Sequence, residues 1–199
     1  AQLSSSISKF GIGSLLLDGT GDYITVSSQD DFEYGTGDFT IEFYVYFDAV
    51  SGNLYDQRTT ASQASPVIYV NGSSKIAYYV NGAEVITGTT TPATSTWYHV
   101  AVTREGTNTK LFINGTQEGS TWTDNTTYVE TGIRIGAGFN DTSFVDGNFD
   151  EVRIVKGEAK YTANFTPSTL PFVGEDGTIL LLHFEGLDGS TDIVDDGIS

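Results

Sequence analysis

Cysteine is absent from this sequence. That excludes disulfides, thiolate metal sites and cysteine nucleophiles, and it leaves the redox compartment undetermined. Methionine is absent too, the initiator included, so the chain reads as a processed product or a piece excised from something longer. Basic residues are scarce: nine Lys and Arg stand against 26 Asp and Glu, for a formal net charge of −17. Phosphate binding needs Lys and Arg to displace counterions, so this balance argues against nucleic acid and anionic membrane surfaces as partners. It suits a salty or calcium-containing medium, where like-charge repulsion is screened. No apolar run approaches the roughly 18 residues of a bilayer-spanning helix, and the opening "AQLSSSISKF" has no signal-peptide h-region. With two histidines, His99 and His183, and no G-x-S-x-G elbow, a nucleophilic triad has little to work with. Glycoside hydrolysis needs two facing carboxylates, and neither "FTIEFYVYF" nor "FDEVRI" clusters them. The chain reads as a non-enzyme.

What the sequence does contain is period-two alternation. "DFTIEFYVYFD" places Phe39, Ile41, Phe43, Val45 and Phe47 on one face and Thr40, Glu42, Tyr44 and Tyr46 on the other, as in a half-buried strand. "WYHVAVTRE" divides in the same way: Tyr98, Val100, Val102 and Arg104 oppose Trp97, His99, Ala101 and Thr103. Asn-Gly pairs at Asn81-Gly82, Asn114-Gly115 and Asn71-Gly72 predict hairpins, since both residues of a type I′ turn need positive φ. No amphipathic helix of ordinary length is present; "GEAKYTANF" has room for one turn. With 23 glycines and turn signals throughout, the chain reads as all-β: an antiparallel two-sheet β-sandwich, a jelly roll. Residues 1–199 form a single domain. Residues 174–199 supply a C-terminal strand, "ILLLHFEG", and an acidic tail. Leu180, Leu182 and Phe184 share one face of that strand, which therefore closes an edge of its own sheet or of a neighbour's.

Two groups of polar residues invite chemistry. Gly-rich acidic loops offer the carboxylate and carbonyl oxygens that calcium requires, and "LDGTGDY" and "NFDEVR" are such stretches; Asx turns and a strand start account for the same residues without a metal. The loops "YDQRTTASQAS" and "GAGFNDTSFVDGN" hold Tyr55, Asp56, Arg58, Asn140, Asp141 and Asp146. An aromatic face with carboxylate, amide and guanidinium groups suits a glycan, while solvated connections are expected of any sandwich. Trp97, His99 and His183 read as packed side chains.

The segments "SLLLDGTGDYITV", "FEYGTGDFTIEFYVYF", "WYHVAVTREGTNTKLFINGTQEG", "IRIGAG" and "GNFDEVRIVKGEAKYTANFTPSTLPF" follow one another in this order. Together they resemble the laminin-G-like, concanavalin-A-like jelly-roll family, in the version found in bacteriophage appendages and bacterial surface proteins. The resemblance implies a non-catalytic module and structural calcium held between the early loop and the late strand, which carries over to Asp18, Asp22 and Asp150. It further implies an extracellular or virion-surface location. The expected function is a structural or adhesive module of an extracellular assembly, a phage appendage or decoration or a bacterial surface fibre, polymerising by C-terminal strand exchange. The alternative is a calcium-dependent, lectin-like carbohydrate-binding module. Expected partners are further copies, other proteins of the assembly, and glycan.

Overall fold

Alternating apolar residues become two stacked antiparallel sheets in the computed structural model, which describes residues 1–129 and 131–197. In chain order the strands begin β1 (Gln2–Ser4), β2 (Ser14–Asp18), β3 (Ile24–Val26), β4 (Phe39–Ala49) and β5 (Asn53–Asp56). There follow β6 (Val67–Val70), β7 (Ile76–Val80), β8 (Ala83–Thr87), β9 (Trp97–Glu105) and β10 (Asn108–Ile113). The last are β11 (Thr116–Thr123), β12 (Ile133–Ile135), β13 (Asp146–Lys156) and β14 (Thr178–Leu182). The larger sheet runs β1-β2-β13-β4-β9-β10-β11, with β14 also on β13; the smaller runs β3-β12-β5-β6-β7-β8. Among the described residues the helical content is one 3₁₀ turn, Asp30–Phe32.

The inward row of β4, from Phe39 to Phe47, is buried against Tyr55, Ile68 and Tyr78 of the smaller sheet. Its outward row is not half-exposed as the alternation suggests: Thr40, Glu42 and Tyr44 are buried as well. The cause is a strandless segment, residues 157–177, that crosses the back of the larger sheet. Thr40 Oγ1 donates to Glu158 O at 2.9 Å, Tyr44 Oη to Ser168 O at 2.8 Å and Thr103 Oγ1 to Tyr161 O at 2.7 Å. Beneath it Glu42 accepts Arg153 Nε at 2.9 Å and Nη2 at 2.6 Å, and Tyr161 Oη at 2.9 Å, while His99 Nε2 lies 3.0 Å away. Burial works against the charge on Glu42, but His99 and Arg153 outweigh it and hold the carboxyl below its usual range.

Two of the predicted hairpins have the expected geometry. Asn81 and Gly82 have φ of 52° and 85°, and Asn114 and Gly115 have 49° and 77°. The third differs. Asn71 N donates to Lys75 O at 2.8 Å and Ser74, not Gly72, takes positive φ, so β6 and β7 are joined by a longer loop.

Two short strands share one edge of β13, end to end. β2 pairs its first half, from Asp146–Asp18 to Phe149–Leu15, and β14 its second, from Val152–Leu182 to Val155–Thr178. Leu180, Leu182 and Phe184 enter the main core, while Leu181 packs on Tyr44 and Phe172 behind the sheet. The tail covers the free edge of β14: Asp196 N donates to Leu181 O at 2.8 Å, and Leu181 N to Asp195 Oδ1 at 2.9 Å. Leu182→Ala is expected to cost about 3 kcal/mol in urea denaturation, the size of a buried leucine truncation. A loss below about 1 kcal/mol would make β14 peripheral to the core.

Candidate functional site

On the outer face of the smaller sheet, strand register assembles two cross-strand rows. One reads Thr25, Arg134, Asp56, Val67, Tyr79, Glu84; the other reads Asn53, Tyr69, Ala77, Thr87. Asp56 is completely buried in the first row. Its Oδ1 accepts Arg58 N at 2.9 Å and Nε at 3.0 Å, and its Oδ2 accepts Arg58 Nη2 at 2.7 Å, Asn53 Nδ2 at 2.9 Å and Phe139 N at 3.1 Å. The Arg58 guanidinium lies over the rings of Tyr79 and Phe139, 4.9 Å from each centroid. Burial disfavours its charge, yet the bonds to Asp56 raise its pKa above the usual arginine value. Arg58 is thereby a fixed donor whose charge is already balanced, with Nη1 left a single long contact, 3.4 Å to Ala61 O.

Tyr69 and Tyr79 meet edge to face, with centroids 6.2 Å apart at 87°. Glu84 orients the neighbouring groups by accepting the Tyr69 hydroxyl, Asn71 Nδ2 at 3.2 Å and the Thr87 hydroxyl. These residues bound a cleft of about 350 Å³, with Val67 and Val70 in its lining and Arg58, Tyr69, Tyr79, Asn53, Asn71 and Ser143 around it. Asn53 commits its Nδ2 to Asp56 and keeps Oδ1 as an acceptor. The cleft therefore offers aromatic faces, a neutralised cationic donor, an amide acceptor and a hydroxyl. The neighbouring carboxylates of Asp56 and Glu84 do not line it and are already engaged by donors of the protein, so neither is placed for acid–base work.

Of the residues expected in a glycan site, Arg58 lines the cleft and Asp56 anchors it from below. Tyr55 is corrected: β5 turns it away from Asp56 into the core, where it is fully buried with its hydroxyl 3.3 Å from Tyr34 Oη and donating to Gln57 Oε1 at 2.9 Å. Asn140 and Asp141 do not line this cleft. They sit on the exposed loop before β13, where Asn140 Oδ1 accepts Thr142 Oγ1 at 2.6 Å and Asp141 Oδ1 lies 3.2 Å from Arg134 Nε. Ser143 and Phe139 of that loop reach the site instead. Asp146 belongs to the other sheet, opposite Asp18. Tyr69, Tyr79, Asn71 and Glu84 were not anticipated. The alternation in "VIYV" sets Tyr69 off from the core residue Ile68, but which outward residues become neighbours depends on strand pairing.

Asp18, Asp22 and Asp150 do not form one ligand set, so the calcium site expected on them is not assembled. Asp18 is exposed, and the Thr20 backbone and hydroxyl, donating at 2.8 and 3.1 Å, hold its carboxyl below the usual range in an Asx turn. Asp22 Oδ1 lies 2.6 Å from the Ala1 nitrogen. Asp150 is four residues along β13 from the position paired with Asp18, a displacement of roughly 13 Å. Among the described residues, no three His, Cys, Asp or Glu side chains come together as a metal site.

The fold and cleft can now be compared with known proteins. The sequence pattern of the concanavalin A-like lectin/glucanases superfamily matches residues 18–160, well over half of the chain. This chain belongs to that superfamily. A comparison of this concanavalin A-like domain with curated protein sequences finds no match. Among solved structures it is similar to a Bacteroides ovatus protein assigned a carbohydrate-binding role, with TM-score 0.67 and 16% identity over 91% of this chain and 56% of that one. The domain therefore spans little more than half of that protein. It is also similar to domain 4 of AbnA, a GH43 extracellular arabinanase from Geobacillus stearothermophilus solved with arabinotriose, with TM-score 0.60 and 15% identity over 80% and 78% of the two chains. A third is the heptameric SAP-like pentraxin of Limulus polyphemus, with TM-score 0.57 and 15% identity over 94% of each chain. At these identities the likeness is one of fold.

Asp150 has a measurable consequence apart from any metal. Its Oδ2 accepts Lys9 N at 2.8 Å and Phe10 N at 3.1 Å, while its buried Oδ1 has no partner among the described residues. Burial pushes its carboxyl up from 3.8 to about 7, with the two amides opposing. The unfolded chain releases this proton near 3.8 and the folded chain near 7, so between these values folding takes up a proton and stability falls as pH rises. Asp150→Asn is expected to flatten that fall, measured by urea denaturation at about pH 5 and about pH 8. Identical slopes in the two proteins would exclude Asp150 as the titrating group.

Proposed function

We propose that this domain is a non-catalytic adhesive module of an extracellular assembly and that the cleft on its smaller sheet binds a neutral glycan. The observation that carries the reading is the clamped Arg58 beside the Tyr69–Tyr79 pair: a balanced cation and aromatic faces favour hydroxyls and sugar C–H faces over charged ligands. The two carbohydrate-linked structures of similar fold support it. An extracellular or surface location is part of the same proposal, and the extracellular arabinanase of similar fold supports it. A phage appendage or bacterial surface fibre is the setting in which such a module would display the cleft. The pairing of β14 with β13 of its own chain favours a self-contained unit over one completed by a neighbour's strand.

Retention of the protein in native gels containing neutral polysaccharides, followed by calorimetry with the retained sugar, tests this. Tyr69→Ala is expected to weaken binding several-fold, up to about tenfold, as a stacked ring is lost. Arg58→Lys is expected to weaken it as well, because lysine cannot span both Asp56 oxygens. Undiminished binding in both variants would move the site elsewhere. Retention by no polysaccharide would leave the module purely architectural.

A further inference from the structure

The back of the larger sheet, on the layer opposite the cleft, holds a second concave feature. Leu170, Pro171, Phe172 and Val173 of the crossing segment, with Glu151, His183 and Glu185, enclose a groove of about 470 Å³. Phe172 is 4% exposed, whereas Leu170 and Val173 stand 70% and 69% exposed beside it. Ile12 is 69% exposed, and its N–H donates to both oxygens of Glu185 at 3.1 Å, which places it at the same rim. Two of the six large hydrophobic side chains exposed among the described residues thus line one groove, with the Ile12 backbone tied to its rim. Apolar surface grouped in this way marks a contact site more often than chance scatter does.

The groove is preformed. Between Asp150 and Arg153 the register of β13 shifts, and Glu151 takes φ of 54° at this bulge. Its buried carboxylate accepts Phe172 N at 2.5 Å and lies 2.7 Å from His183 Nδ1, tying residues 170–173 and His183 to the sheet. With Nδ1 engaged, the His183 ring keeps Nε2 for a ligand. Glu185 contacts the Ile12 N–H, and no cation pairs with it among the described residues.

Charge selects the occupant. A second copy would bring its own Glu185 and a further net charge of −17 to the contact. A self-complementary pairing would then bury two uncompensated carboxylates in apolar surroundings. An anionic lipid surface is repelled on the same grounds. We propose that the groove docks a protein segment that presents a large apolar side chain flanked by lysine or arginine, the apolar group lying against Phe172, Leu170 and Val173 and the cation meeting Glu185. The site is independent of the glycan reading. Because the two lie on opposite layers, one module can hold sugar and protein partner together.

Three synthetic fluorescent peptides test the proposal by anisotropy on the full chain: Lys-Leu-Phe-Leu-Lys, its glutamate-flanked counterpart Glu-Leu-Phe-Leu-Glu, and the polar Lys-Ser-Thr-Ser-Lys. The first is expected to bind saturably and the other two weakly. Leu170→Ser with Val173→Ser should weaken it at least about tenfold. Glu185→Gln should weaken it several-fold and blunt its salt dependence. Leu170 and Val173 are exposed, so melting temperature should not move in the double variant. Equal binding of the polar lysine peptide, undiminished binding by the double variant, equal binding of the glutamate-flanked peptide, or binding of none of the three would each overturn the assignment. A concentration-dependent dimer that the double variant abolishes in sedimentation would give the groove to a second copy instead.

Discussion

β13 is bonded along one edge to β4 and along the other to β2 and β14, which meet end to end because neither is long enough to cover it. Every other feature depends on satisfying that strand. Residues 157–177 leave the end of β13 and return beside it, since Thr178 pairs with Val155 and Lys156 N donates to Gly177 O at 2.7 Å, so the connection is a long excursion over the outer face of the larger sheet in place of a tight hairpin. In crossing they bury Thr40, Glu42 and Tyr44, fix Tyr161 on Glu42 and lay residues 170–173 along the rim of the apolar groove. The bulge at Glu151 falls where β2 gives way to β14, so the irregularity of the ladder and the anchoring of the crossing segment are one event.

A chain this acidic uses three of its four arginines inside. Arg153 pairs with Glu42 under the crossing segment, and Arg58 with Asp56 under the cleft. Arg104, 1% exposed, donates Nη2 to Asp124 O at 3.0 Å, with Nε 3.4 Å from Asp124 Oδ2. Guanidinium suits this work because its planar fork meets two oxygens at once and keeps its charge when desolvated. Such pairs add little net stability over apolar packing but make one arrangement of partners much better than its rivals. The excess of acid is left at the surface, where it repels polyanions and other copies of the chain and makes neutral or basic ligands the natural company of both concave features.

The two layers differ in what covers them. The smaller sheet turns an aromatic and amide-rich face outward, with Phe139 and Ser143 of the loop before β13 at its margin. The larger sheet is covered on its back, and its apolar groove exists because of that cover. The sandwich core between them holds the two features on opposite layers at a fixed distance.

The alternation of "DFTIEFYVYFD" and "WYHVAVTRE", the glycines and the Asn-Gly turns by themselves determined a sandwich of antiparallel sheets, because period two is a local property of extended chain. They also determined that "ILLLHFEG" must be buried, although the strand ends at Leu182 and Phe184 reaches the core from beyond it with φ of 55°. Arg58 and Asp56 were legible as candidate site residues of a polar loop, but their pairing was not. Tyr69, Tyr79, Asn71 and Glu84 were not, because they become one site through the register of β5 to β8. Tyr55 was misread because Leu54 and Tyr55 are both buried while Asp56 faces the cleft, so simple parity does not hold along β5. Tertiary structure alone decided that Asp18 of β2 lies opposite Asp146, well along β13 from Asp150, and that the back of the larger sheet is covered. Both depend on which strands lie side by side and where the chain crosses between them, and sequence periodicity carries no record of either.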